Sequence, residues 1–218
     1  AVSPSFGPAS IESYYDEFLC APGVIDEVRK GDEHGFDAYI IACYGDPGLH
    51  AAREVTVKPV IGIGEASLYI ASILAARFSI VTVIPRIKTM LEEMVANYGF
   101  SHKVVKVRTT PMYVLDIEKD PARALEMLRD EARQAVAEDE AEAILLGCAG
   151  FAEFANELEG ELGIPVLDGV VCAVKMAEAV VELSKTTSKA KTYRFPESKT
   201  FTGVFTRFGA DIGHSAAE

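Results

Sequence analysis

Short apolar runs alternate along this chain with longer stretches that are apolar on one side only. Residues 36–43 read as a strand and run into Tyr44-Gly45-Asp46-Pro47-Gly48, a dense turn signal. Residues 49–55 predict a turn or two of helix, 58–64 a second strand, and 65–77 a helix rich in Ala, Leu and Ile. Residues 78–84 are a β-branched strand stopped by Pro85. The grammar then repeats. A helix is predicted over 86–98 and a strand over 103–108. A strongly amphipathic helix starts at Pro121, with Asp120 as its N-cap, and runs to about Glu138. Strands follow at 143–148 and 164–168, then an apolar-faced helix at 169–183; the polar tail from Ser184 is irregular. The alternation predicts an α/β fold of parallel sheets with covered faces and right-handed connections.

The two halves match each other. Asp37 to Cys43, then Pro59-Val60-Ile61-Gly62 and a helix, parallels Glu142 to Cys148, then Pro165-Val166-Leu167-Asp168 and a helix. Cys43 precedes Pro59 by 16 positions and Cys148 precedes Pro165 by 17. Each cysteine ends a strand, two residues before a glycine. We read two copies of one βαβ unit, hence two pseudo-symmetric lobes, each a mostly parallel sheet flanked by helices. Residues 1–77 are expected to form the first lobe and 78–165 the second, with 166–218 returning to the first. Both thiols then lie at carboxyl ends of strands, where open α/β sheets hold their ligands, and the site falls in the cleft between the lobes.

Composition narrows the chemistry. The 218 residues carry 33 acidic and 21 basic side chains, a net charge of −12, which repels phosphate backbones and anionic membranes. No apolar run reaches membrane-spanning length, and no signal peptide is expected from the opening residues. The four cysteines, Cys20, Cys43, Cys148 and Cys172, show no metal-knuckle or redox spacing and are read as reduced thiols of a cytoplasmic protein. Cys172 is expected to pack within its helix.

Two equivalent thiols on facing lobes suit the inversion of a carbon stereocentre. A proton must leave one face and return to the other, which one base does poorly and two opposed groups do well. Free Cys is mostly protonated at neutral pH, so the site must favour the thiolate. The backbone N–H groups at Tyr44–Gly45 and Ala149–Gly150, with the helix starts behind them, are expected to do so and to stabilise an enolate oxygen.

Residues 42–49, 62–66 and 146–150, together with 6–13 and, more weakly, 199–203, resemble the hydantoin and allantoin racemases of the Asp/Glu/hydantoin racemase superfamily. The resemblance spans nearly the whole chain. It implies a cofactor-independent racemase with Cys43 and Cys148 as the acid/base pair, no metal, and a homo-oligomeric assembly. Phe6, Gly7, Tyr44, Gly45, Thr82, Pro85, Ala149 and Gly150 are the expected substrate-binding residues. Amino-acid racemases of the superfamily carry hydroxyl and other polar groups beside their cysteines. Tyr44-Gly45 and Ala149-Gly150-Phe151 offer neither an aliphatic hydroxyl nor a cation for a carboxylate, which suits a neutral cyclic ureide such as allantoin or a 5-substituted hydantoin. The resemblance also implies a first strand and an Asn-Pro-Asn-Thr-like loop ahead of Ala1. A maleate isomerase or amino-acid racemase on the same fold is the alternative; a two-lobed binding protein with inert, packed thiols is a third reading.

The remaining motifs have simpler explanations. Gly62-Ile63-Gly64-Glu65-Ala66-Ser67 lacks the third glycine and the downstream acid of a dinucleotide loop, so a tight turn into a helix is expected. Asp168 reads as an N-cap and Asp46 as a turn residue. Cys43 and His50 do not carry a known hydrolase signature. His34, His50, His102 and His214 form no metal pattern. The acidic run 138–142 is expected to be a solvated face.

Overall fold

A computed structural model describes residues 1–209. The chain opens with a helix, α1 (Tyr14–Glu33), in a region where the sequence reading assigns no element. Pro22 and Gly23 lie inside this helix and disguise it. Its start is marked all the same. Ser13 Oγ accepts from the Asp16 N–H at 3.2 Å and donates to Asp16 Oδ2 at 2.7 Å, and that carboxylate also accepts the Glu12 N–H. This is a capping box with Asp in the acidic position, and Ser13-x-x-Asp16 was the signal that would have found it.

The first sheet follows. Strand β1 (Tyr39–Ile41) leads into helix α2 (Leu49–Val55) and pairs in parallel with β2 (Val60–Gly62). Helix α3 (Ile63–Leu74) starts at the very next residue. The second sheet comprises β3 (Phe78–Thr82), β4 (Val104–Thr109), β5 (Ala143–Leu146) and β6 (Val166–Asp168), all parallel, in the order β4-β3-β5-β6. Its helices are α4 (Lys88–Asn97), α5 (Val114–Lys119), α6 (Pro121–Glu138), α7 (Ala155–Leu162) and α8 (Gly169–Glu182). The fold is thus α/β, with two parallel sheets flanked by helices. β3 and β5 are buried along their whole length, which is why they read as unbroken apolar runs. α6 begins at Pro121 and ends at Glu138 as expected, with Asp120 accepting the Arg123 N–H.

The repeat is visible in the elements. Cys43 lies two residues past the end of β1, and Cys148 two residues past the end of β5. β2 runs straight into α3, and β6 straight into α8. The helices pack together, α3 reaching β5 and β6 while α8 reaches β1 and β2. Their first turns meet: a Cβ on Gly169 would sit 2.6 Å from the Ile63 carbonyl oxygen. The tail returns to the first sheet's side. Thr187 donates its N–H to Val57 O and its hydroxyl to Lys58 O, and Lys189 Nζ donates to the Arg53 carbonyl.

The acidic run is exposed at Glu138, Glu140 and Glu142 as expected, but not at Asp139. Asp139 is buried and grips the Arg108 guanidinium through both carboxylate oxygens, at 2.6 and 2.8 Å, with Glu138 adding a third contact. Glu142 accepts the Ala76 N–H at 2.7 Å. These acids fasten α6 to β4 and cap the chain entering β3, because a buried guanidinium needs every donor matched.

Candidate active site

Asp46 organises the loop after Cys43. It adopts a left-handed φ of 50° and turns its carboxylate onto the start of α3. Oδ1 accepts the Gly64 N–H at 2.9 Å, Oδ2 accepts the Glu65 N–H at 2.7 Å, and the Tyr98 hydroxyl donates to Oδ2. A Cβ on Gly62 would overlap this carboxylate, and one on Gly64 would overlap the Tyr44 carbonyl. The glycine pair therefore exists to admit Asp46, which explains the incomplete dinucleotide motif. The second repeat solves the same problem locally: Asp168 accepts the N–H groups of Val170 and Val171 at the start of α8.

Burial pushes the Asp46 carboxyl up to about 7, against the pull of its hydrogen bonds from Glu65, Gly64 and Tyr98. Between about pH 4 and 7 the unfolded chain has released this proton while the folded chain still holds it. Stability from this group is therefore present at low pH and falls by about 1.4 kcal/mol per unit as pH rises through that window. Urea unfolding of wild type and Asp46→Asn at pH 4.5 and 6.5 checks the sign: the wild type should lose more on the rise in pH than the variant.

The two thiols sit in matched surroundings. Both Cys43 and Cys148 are half-buried, and all four cysteines are free. The Gly45 N–H acts on the Cys43 sulfur and the Gly150 N–H on the Cys148 sulfur, each favouring the thiolate. The effect is smaller than the expectation from sequence required. Packing around each sulfur dominates and raises the thiols to about 12 and about 11 respectively. Negative charge on Cys148 raises Cys43 further, so the Cys148 sulfur lies near enough to affect the ionisation of Cys43. One thiol and one thiolate is the arrangement this favours over two thiolates. Iodoacetamide labelling of the free protein should therefore be slow at pH 8 and climb about tenfold per unit to beyond pH 10. A plateau near pH 8.5 would contradict the burial.

The other expected site residues divide. Gly45, Ala149 and Gly150 flank the sulfurs, with at least part of their surface open. Pro85 lies on the rim of a cavity of about 400 Å³ at the carboxyl edge of the second sheet, with Glu12, Arg86 and Tyr113. Phe6 and Gly7 lie against α1, Gly7 beside Cys20 and the Phe6 ring under the Arg207 guanidinium at 4.9 Å. Two hydroxyls are engaged by the framework. The buried Tyr44 hydroxyl bonds Ser67 at 2.9 Å, and the buried Thr82 hydroxyl donates to Gly147 O at 2.7 Å. Tyr44 thus anchors the first loop to α3, and Thr82 fixes the turn that presents Cys148.

Two cysteines set aside in the sequence separate here. Cys172 is buried in the core as expected. Cys20, buried on α1, lies near enough for its charge to raise Cys43, a proximity that no sequence spacing signals. His50 Nδ1 contacts the Tyr193 hydroxyl at 2.9 Å. Among the described residues no three His, Cys, Asp or Glu side chains are grouped to hold a metal, and no helix is long and apolar enough to cross a membrane. His214 lies outside the described residues. A cavity of about 250 Å³ lies under the tail, between Ile25, Val55, Phe201 and Phe205, and contains none of the expected site residues.

Paired parallel sheets, each presenting a cysteine just beyond an equivalent strand, are the architecture of a racemase. The chain belongs to the Asp/Glu/Hydantoin racemase family, which residues 1–177 match. It is 66% identical over 209 residues to a hydantoin racemase from Pseudomonas sp. strain NS671, covering 96% of this chain and 84% of that protein. Among solved structures it resembles an allantoin racemase from Klebsiella pneumoniae, with 41% identity and a TM-score of 0.93 over 95% of this chain and 85% of that one. An allantoin racemase from Pseudomonas fluorescens gives 36% identity and a TM-score of 0.89, over 93% and 86% of the two chains.

Proposed function

We propose that this racemase inverts the 5-position of a hydantoin-type ring, allantoin or a 5-substituted hydantoin, by passing protons between Cys43 and Cys148 without a cofactor. The observation that carries the reading is the equivalence of the two thiols: each lies two residues beyond its strand, beneath the N–H of a glycine two residues further on. The names of the similar proteins support the substrate class.

The C5–H bond of such a ring is acidified by the adjacent carbonyl. One sulfur, as thiolate, takes that proton; the bonding pair moves onto the carbonyl as an enolate. The opposite sulfur, as thiol, then gives its proton to C5 from the other face. The enzyme ends with the roles exchanged and the charge conserved. The glycine-bearing loops let backbone N–H groups approach the enolate oxygen, which is the transition-state charge that needs stabilising. The cleft between the lobes, bounded by Gly45 and Gly150, holds the ring on this reading. A reducing cytoplasm keeps both sulfurs out of disulfides. The exposed apolar side chains of Tyr15, Phe18 and Leu19 on α1 support assembly into a homo-oligomer.

The test is the decay of optical rotation of enantiopure allantoin and of 5-isopropylhydantoin, with reduced protein and nothing added. Decay faster than the uncatalysed rate for at least one is expected. Absence of decay for both, alongside racemisation of aspartate or glutamate, would replace this reading with the amino-acid one.

A further inference from the structure

The 400 Å³ cavity is lined by Ile84, Pro85 and Arg86, which follow β3, the strand paired with β5, and Thr82 at the end of β3 bonds the Gly147 carbonyl beside Cys148. Glu12 connects the two. It lies 136 positions from Cys148 in the chain, yet it bonds Val114 at the start of α5, the helix whose Ile117 would stand 3.1 Å from a Cβ on Gly150, and its charge acts on the Cys148 sulfur. It also lines the cavity. Its position is fixed: Oε1 accepts the Val114 N–H at 2.8 Å, while Oε2 has no protein donor among the described residues. Asp16 lines the same cavity, with its carboxylate turned onto Ser13 and the Glu12 N–H. The one cation there is Arg86, exposed and with no ion-pair partner among the described residues. Two carboxylates and one guanidinium thus share the lining, in a protein of net charge −12.

We propose that Glu12 is a substrate-orienting and specificity-determining residue: this cavity takes the substituent on C5 of the ring, and Glu12 Oε2 accepts an N–H from it and repels an anionic one. The proposal rests on the racemase reading above and adds the substituent's chemistry to it. Ureido substituents, as in allantoin, bring N–H donors to Glu12 and a carbonyl that Arg86 can meet. A 2-carboxyethyl substituent brings a second negative charge against a fixed one, which costs more where water is scarce.

The experiment measures KM and kcat for allantoin and for 5-(2-carboxyethyl)hydantoin with wild type and with Glu12→Gln. The amide keeps an acceptor for Val114 and turns an N–H₂ toward the substrate. KM for allantoin should rise about tenfold and KM for the carboxyethyl compound should fall about tenfold, with kcat moving much less. Opposite movement of two KM values is a result that a merely loosened fold does not give. Arg86→Gln, a change at an exposed side chain, should move the KM ratio the other way, and it decides the matter should Glu12→Gln fail to fold. A ratio unchanged within threefold in both variants, or parallel losses for both substrates, overturns the proposal. If wild type racemises neither compound, the parent reading has failed, and the two failures are told apart by the wild-type rates alone.

Discussion

Cys43→Ser and Cys148→Ser should each reduce racemisation by at least a thousandfold, yet leave one half of the reaction running. Positioned acid or base catalysis is commonly worth 10² to 10⁴, and full inversion needs both groups in one turnover. On the proposed mechanism the surviving cysteine faces one side of C5. It can take the proton from the enantiomer that points at it and return a solvent deuteron to the same face. In D₂O, Cys43→Ser should therefore wash deuterium into one enantiomer without inverting it, and Cys148→Ser into the other. NMR loss of the C5–H signal, followed alongside optical rotation, separates exchange from inversion. A serine variant racemising within tenfold of wild type would remove that cysteine from the mechanism. Equal exchange into both enantiomers would remove the two-face geometry.

Gly62→Ala should be the most damaging conservative change outside the thiols. The new methyl group enters space occupied by the Asp46 carboxylate, which two backbone N–H groups and the Tyr98 hydroxyl hold in place. Relief requires moving the carboxylate off the start of α3. The expected loss is about 3 kcal/mol, from overpacking together with a lost helix cap. In a domain of this size that lowers Tm by roughly 10 °C. Asp46→Ala alone should cost about 1–2 kcal/mol. In the double variant the clash is gone, so the two losses should fall short of adding by at least 1 kcal/mol. Additive losses in chemical denaturation would mean that Gly62 is required for some other reason. Activity should follow stability here, since Asp46 stands three residues after Cys43 and its displacement carries the thiol with it.

Much of this site was legible before any coordinates. The strand-end position of Cys43 and Cys148 follows from an apolar run cut by a glycine-bearing turn, a local pattern that survives folding unchanged. Asp120 and Asp168 were readable as caps because a cap bonds the two or three residues that follow it. α1 was missed because Pro22 and Gly23 outweigh, in a local reading, a cap at Ser13 and an apolar face that only packing rewards. Tyr44 was expected at the ligand because it follows Cys43, and Thr82 because it ends a strand at the edge where ligands sit. Their hydroxyls are held by Ser67 and the Gly147 carbonyl, partners that no local spacing signals.

The sequence by itself determined the parallel α/β class, the repeat, the two thiols and the family, since each is written in local spacing and residue type. Tertiary structure alone decided the electrostatics. Burial outweighs the glycine N–H groups at both sulfurs, and burial is a property of what surrounds an atom from every direction. It decided why Gly62 and Gly64 are glycines, because the obstructing carboxylate arrives from another loop. It also brought Glu12 to Val114 and within electrostatic reach of Cys148, a meeting of distant segments that no spacing along the chain encodes.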